Sequence, residues 1–208
     1  FILYIFSGLF SCGAFRAEDY RTMIGPIETR VWTQDVQPKD PKHMRMSTRE
    51  NAVYVAGKAL GQAGTIGSQF QISKEHMTLQ MIGDELWYVV PLDFAGFTPW
   101  LNANGAPGYV MIHGEDPRAD AKLVKMEDGK RFRYMPGAFF GDELERHLRL
   151  NGYLNYGFAQ FKFEIDDNGK PWWVVSLFKP TIVWSGEKIT GILLVDPVTG
   201  EITQKQAN

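Results

Sequence analysis

The residues able to do chemistry in this 208-residue chain are scattered carboxylates, four histidines and one cysteine. Glu164, Asp166, Asn168 and Gly169 stand at the spacing that opens an EF-hand calcium loop. Such a loop also needs a bidentate Glu at its twelfth position, and that position is Val175. The same run has a plainer meaning. Asn168-Gly169 between two apolar runs predicts a hairpin with a type I′ turn, in which both central residues take positive φ. Paired carboxylates could do acid–base work on a glycosidic bond. Glu164 and Asp166 share one strand face and Glu115 and Asp116 share a turn, but each has a turn or solvated-strand explanation.

His43, His76, His113 and His147 show no short ligand spacing, and Cys12 alone makes neither an internal disulfide nor a Cys-based zinc site. No metal and no cofactor is expected. There is no Gly-x-Ser-x-Gly, no P-loop and no His-Glu-x-x-His. The chain therefore reads as non-enzymatic, with a polysaccharide-binding or hydrolytic envelope protein as the alternative. A net charge of −2 with interspersed Lys and Arg gives no footprint for nucleic acid.

What remains is contact chemistry. Aromatic residues make up 13% of the chain, and Trp in particular is enriched at interface hot spots. Phe97 and Trp100 lie in a long loop from Asp93 to Pro107, where binding residues concentrate. Trp172 and Trp173 are neighbours in a strand, so they point to opposite faces, one to the core and one towards the surface. These four are the candidate partner-binding residues.

The elements that position them follow from periodicity. Phe161, Phe163 and Ile165 alternate with Lys162 and Glu164, a half-buried strand. Trp172–Phe178 is rich in aromatic and β-branched residues. After a crossing loop, Ile189–Val195 is nearly all apolar, and Asp196-Pro197-Val198-Thr199-Gly200 closes it in a turn. Further strands are predicted at Gly67–Ile72, Thr78–Met81, Leu86–Leu92 and Gly108–Ile112, and Arg131–Met135 also alternates. A capping box at Ser47–Glu50 starts a helix whose face is Ala52, Val55, Ala56, Ala59 and Leu60. Asp142 and Glu145 cap a second helix that stops at Asn151-Gly152.

Phe1–Phe15 carries no charge. It is short for a membrane span, and more apolar sequence is expected ahead of Phe1. It reads as the end of a transmembrane anchor. A secretory signal is the alternative, with Leu9-Phe10-Ser11-Cys12 resembling a lipoprotein processing box; a pilin-like start is disfavoured by Ile5. Residues 16–46 form a connector, 47–135 a first α+β unit and 136–208 a second.

The two units share a grammar. Each has a capped helix, an acidic turn before an aromatic-Val-Val strand (Trp87–Val90, Trp172–Val175), and a Gly-led apolar strand ending in an acid-Pro turn. The expected fold is α+β, two helix-plus-antiparallel-sheet units in tandem after the N-terminal apolar membrane segment. The helix-then-strands order, the aromatic-Val-Val strand and above all VDPVTGEI at Val195–Ile202 resemble the PepSY domain family; the first unit departs from it, with HGEDPRAD in place of the closing motif. The resemblance implies a non-catalytic module outside the cytoplasmic membrane, linked to protease inhibition or protein interaction. Its implied partners are other membrane or envelope proteins, including a homo-oligomer, and it offers no catalytic residues.

Overall fold

The computed structural model describes residues 8, 10, 12–23, 25, 29, 31, 43–182 and 185–206. The expected anchor at 1–15 falls largely outside them, as does most of the 16–46 connector. A short helix, α1 (Ala17–Met23), lies within the connector. Among the described residues no helix is long and apolar enough to cross a membrane.

Helix α2 (Arg49–Gln62) buries Ala52, Ala56 and Leu60, small enough for close approach to a sheet. Its cap is Thr48 rather than Ser47: the Thr48 hydroxyl oxygen accepts the Asn51 N–H at 3.2 Å. The Ser47 hydroxyl accepts the Asn51 side-chain amide at 3.1 Å instead, while the backbone amides of Met46 and Ser47 donate to the Gly114 carbonyl, each at 2.9 Å. The expected strand at 67–72 is half helix. Gly67 sits in α3 (Thr65–Gln69), and strand β1 is only Phe70–Ile72.

The first sheet is antiparallel throughout. Strands β2 (Thr78–Ile82) and β1 lie along one side of β3 (Glu85–Phe94), with a 3₁₀ turn at Lys74–His76 between them. On the other side follow β4 (Gly108–His113) and β5 (Lys122–Lys125). The loop expected between β3 and β4 contains a helix, α4 (Phe97–Ala103). Alternation at Arg131–Met135 yields no strand, only isolated bridges from Phe132 to Ala106 and from Met135 to Glu143.

The second helix, α5 (Leu144–Leu148), is shorter than its pattern suggests. Glu143 caps it, not Asp142, accepting the amides of Glu145 and Arg146, and a π-type turn (Arg149–Tyr153) follows. Four antiparallel strands then run in chain order: β6 (Gly157–Ile165), β7 (Pro171–Ile182), β8 (Ser185–Val195) and β9 (Ile202–Gln206). The expected crossing loop is largely strand, since β7 and β8 run on to Ile182 and Ser185. Like the β1/β2 side of the first sheet, β6 is interrupted, its register slipping between Ala159 and Lys162. The turn after it is not type I′. Gly169 takes positive φ (78°) and Asn168 does not. Asp166 dictates this, its Oδ1 accepting the amides of Asn168 and Lys170 at 2.9 and 2.8 Å.

The two sheets repeat each other's registers. Tyr88 on β3 faces Ile112, and Trp173 on β7 faces Val195. Two residues beyond each partner stands a carbonyl, Gly114 or Pro197, that accepts two consecutive amides from the segment leading into the helix. For Pro197 these come from Arg133 and Tyr134 at 2.8 and 3.0 Å. The strand aromatic completes both knots: Tyr88 donates its O–H to the Ser47 carbonyl at 3.1 Å, and Trp173 its indole N–H to the Tyr134 carbonyl at 3.0 Å. The glycines match as well. Gly108 precedes Tyr109, which faces Val124, and Gly191 precedes Ile192, which faces Lys205.

The sheets pack together through the face of the first that α2 does not cover. Tyr109, opposite Pro91, comes 5.6 Å from Phe163, and Phe132 comes 5.5 Å from the same ring. Side chains join the neighbouring strands β2 and β6. Thr78 donates its hydroxyl to the Phe163 carbonyl at 2.6 Å, and the Gln80 carbonyl oxygen accepts the Ile165 N–H at 2.9 Å. One buried cluster spans both sheets. The fold is mixed helix and antiparallel sheet, of the α+β class.

The glycine registers are testable. A Cβ on Gly108 would fall on the Val124 carbonyl, and one on Gly191 would lie 2.7 Å from the Lys205 carbonyl. Gly108→Ala and Gly191→Ala each destabilise by ~1–3 kcal/mol, the usual range for overpacking, with Gly108→Ala the more severe. Urea unfolding of both variants measures this. Unchanged midpoints would contradict the close strand approach.

Candidate functional site

Gly96, at φ 119°, ends β3 and turns the chain into α4, and Asn104 (φ 48°) and Gly105 (φ 104°) turn it out again. Gly105 leaves no choice of side chain, since a Cβ there would sit 2.8 Å from that of Arg131. Between these punctuations Phe97, Trp100 and Leu101 fall at i, i+3 and i+4, on one side of the helix. Two aromatic residues from the loop before α5 meet them. Phe139 lies 5.2 Å from Phe97 and 5.5 Å from Trp100, and Phe140 lies 5.7 Å from Trp100.

This cluster is not a core. Phe97 is 47% exposed, Leu101 64% and Phe140 62%. Monomers seldom leave apolar side chains gathered at the surface unless the patch is used. A cleft of about 330 Å³ runs beside it, lined by Phe94, Trp100, Asn104 and the Arg133–Asp142 ion pair, whose Nε and Oδ1 are 2.8 Å apart. Phe140 has a φ of 54°, left-handed and strained for a bulky residue.

Asp93 secures the loop from beneath. It is buried at the end of β3, and its Oδ1 accepts the Phe94 N–H at 2.8 Å. The Gly137 amide is its second donor. Burial pushes its carboxyl up to about 6, against the pull of those two amides. A Cβ at Gly137 would collide with the carboxylate, so only glycine admits this contact. Among the described residues no three His, Cys, Asp or Glu side chains converge as metal ligands. What the geometry presents is an exposed aromatic surface beside a polar cleft.

Of the four residues singled out by sequence, Phe97 and Trp100 meet in this cluster; Trp172 and Trp173 lie elsewhere. Trp173 is withdrawn as a contact residue. It is fully buried, edge-on to Phe163 and to the His76 ring, and its N–H is spent on Tyr134. Trp172 points the other way. Its N–H donates to Asp166 Oδ2 at 3.0 Å, which heads the interactions holding that carboxyl below the usual carboxylate range, and Lys170 lies 4.0 Å above its ring. Phe139 and Phe140 escaped notice, although a Phe pair between Gly137 and Gly141 is an exposed-loop signal. The acidic turn residues hold backbone: Glu115 accepts the Leu86 amide at 3.2 Å and Asp116 that of Arg118 at 2.9 Å.

Asp93 makes stability depend on pH in a defined direction. Between an unfolded Asp value of ~3.9 and about 6, the folded chain holds a proton that the unfolded chain lacks. Its contribution therefore rises as pH falls from 7 towards 4, by up to roughly 3 kcal/mol. His76 works oppositely: burial lowers its ring pKa, so its contribution is lost as pH falls below the ordinary histidine value. Asp93→Asn removes the first trend and keeps the second. Urea unfolding across pH 4–7 should show the variant losing stability on acidification relative to the parent; parallel profiles would refute the assignment.

No family model, no curated protein and no solved structure matches this chain.

Proposed function

We propose that the chain is a non-enzymatic, membrane-anchored interaction module. In this reading it is a subunit or scaffold of a larger membrane assembly, presenting Phe97, Trp100, Phe139 and Phe140 to another membrane or envelope protein. The observation that carries it is the exposed aromatic cluster formed where the short helix α4 meets the loop before α5. Aromatic anchors of this kind supply large contact area with few rotatable bonds.

The anchor is residues 1–15, and the folded part is extracytoplasmic. The scaffold is two PepSY-like units in tandem, 47–135 and 136–208. The matched registers of Tyr88 with Trp173, Gly114 with Pro197 and Gly108 with Gly191 support a duplicated unit. Chance hairpin grammar would not place an aromatic donor, a twice-used carbonyl and a close-packed glycine at the same offsets. The cleft supports one other occupant, a polysaccharide: Trp100 offers a ring face beside Asn104, Arg133 and Asp142, which can bond hydroxyls.

The full chain, extracted from membranes in mild detergent, should bring down a stoichiometric protein identifiable by mass spectrometry. The double variant Phe97→Ala/Trp100→Ala should lose it while keeping its unfolding midpoint within ~0.5 kcal/mol, as exposed substitutions do. A wild-type chain that emerges alone, or a variant that retains its partner, sinks the protein-contact reading. Binding of envelope polysaccharide that the same variant abolishes would install the alternative.

A further inference from the structure

We propose that two copies of this chain associate through the open face of the second sheet. Alternation along β7 sends Trp173, Val175 and Leu177 inward, where all are fully buried. Trp172, Val174 and Phe178 point outward, and in β8 Ile189, Ile192 and Leu194 join them on that side. Ile189 is 60% exposed and Ile192 39%. The tip of the Phe178 ring lies over Gly157, where any Cβ would strike it. Charge on this face stands at its borders, with Lys162 and Glu164 on β6, Lys205 on β9 and Glu187 at the hairpin end of β8. An apolar centre with a charged rim is the anatomy of an association surface. Among the described residues α1 reaches only the hairpin end of this face, bordering Ile182 and Ile189.

The first sheet tells what such a face accepts. Its counterpart there is Trp87, Val89 and Pro91, which alternate with Tyr88 just as Trp172, Val174 and Ser176 do with Trp173. That face is buried, and what buries it is another antiparallel sheet of this chain, through the contact of Tyr109 with Phe163. The same surface position thus already serves as a sheet-on-sheet interface once. Size is of the right order. The four strands, nine, twelve, eleven and five residues long, span roughly 600 Å² at ~4.8 Å spacing. A standard interface takes about 800 Å² from each partner. An apolar face is complementary to itself, and the matching occupant is a second copy laid face to face across a two-fold axis, in the aligned packing of a sandwich.

Sedimentation of the full chain in mild detergent, across a wide concentration range, tests this. The expected species is a dimer. Ile192→Glu, on the outward side and away from the buried cluster, should raise its dissociation constant about 30-fold or more, the size of a hot-spot loss. Phe97→Ala/Trp100→Ala should leave the dimer intact, which separates this outcome from that of the partner patch. Ser176→Cys, outward on β7, in a Cys12→Ser background should give a disulfide-linked dimer on oxidation. A monomer at every concentration, a dimer indifferent to Ile192→Glu, or a different protein displaced by Ile192→Glu would each overturn self-association.

Discussion

Strand β3 is buried on both faces from Trp87 to Phe94, and that condition organises the molecule. A strand with no solvent side needs two covers. Helix α2 supplies one, and Ala52 and Ala56 let it come close. The other is the second sheet, led by Phe163. Reaching that position obliges the chain after β5 to cross a crowded joint, where each buried amide and carbonyl must find a partner. It does so pairwise. Phe132 exchanges bonds with Ala106 at 2.8 and 2.9 Å, Arg133 and Tyr134 donate to Pro197, and Leu144 donates to Met135 at 3.1 Å. The joint is therefore built from the chain's own backbone, and Trp173 locks it by donating to Tyr134.

Much of this was written in local pattern. The strands around 78–81, 86–92, 161–165, 172–178 and 189–195 were legible because alternation is a property of neighbours. Helix α4 was not. It is seven residues long with Pro99 inside, too short for a helical period to emerge. Strand β9 (Ile202–Gln206) is almost wholly polar and is a strand only because β8 offers it an edge. Arg131–Met135 shows the converse: it alternates well, yet its amides are divided among Ala106, Pro197 and Asp142, so no ladder forms. Parity put Trp172 and Trp173 on opposite faces, but which one turned inward depended on Tyr134, far off in sequence. The aromatic cluster was half visible, since Phe97 and Trp100 share a loop while Phe139 and Phe140 arrive from beyond β5. Asp93 did leave a trace, as a lone carboxylate in a run of apolar residues.

The interrupted first strand shows how one topology tolerates two causes. In the first sheet, pairing on that side of β3 stops between Val89 and Leu92, where Pro91 has no N–H to give a ladder. The counterpart of Pro91 is Ser176, which keeps its amide, and there the break comes from Gln160 at φ 53° within β6. The break is thus a feature of the arrangement, accommodated by whichever residue stands nearby.

Helix α4, which carries Phe97 and Trp100, belongs only to the first sheet, where it interrupts the β3–β4 connection; in the second sheet β8 is the next element after β7. A rigid sheet with one elaborated connection is a common way to add a binding surface without disturbing a core. Phe140 carries that argument furthest. Its left-handed backbone costs about 1–2 kcal/mol, yet its ring is mostly exposed and gains little from burial. Asp93 anchors the start of its loop, accepting the Gly137 amide three residues before it. A buried carboxylate, an obligatory glycine and a strained residue thus stand within one short loop, whose phenyl ring projects outward beside Trp100.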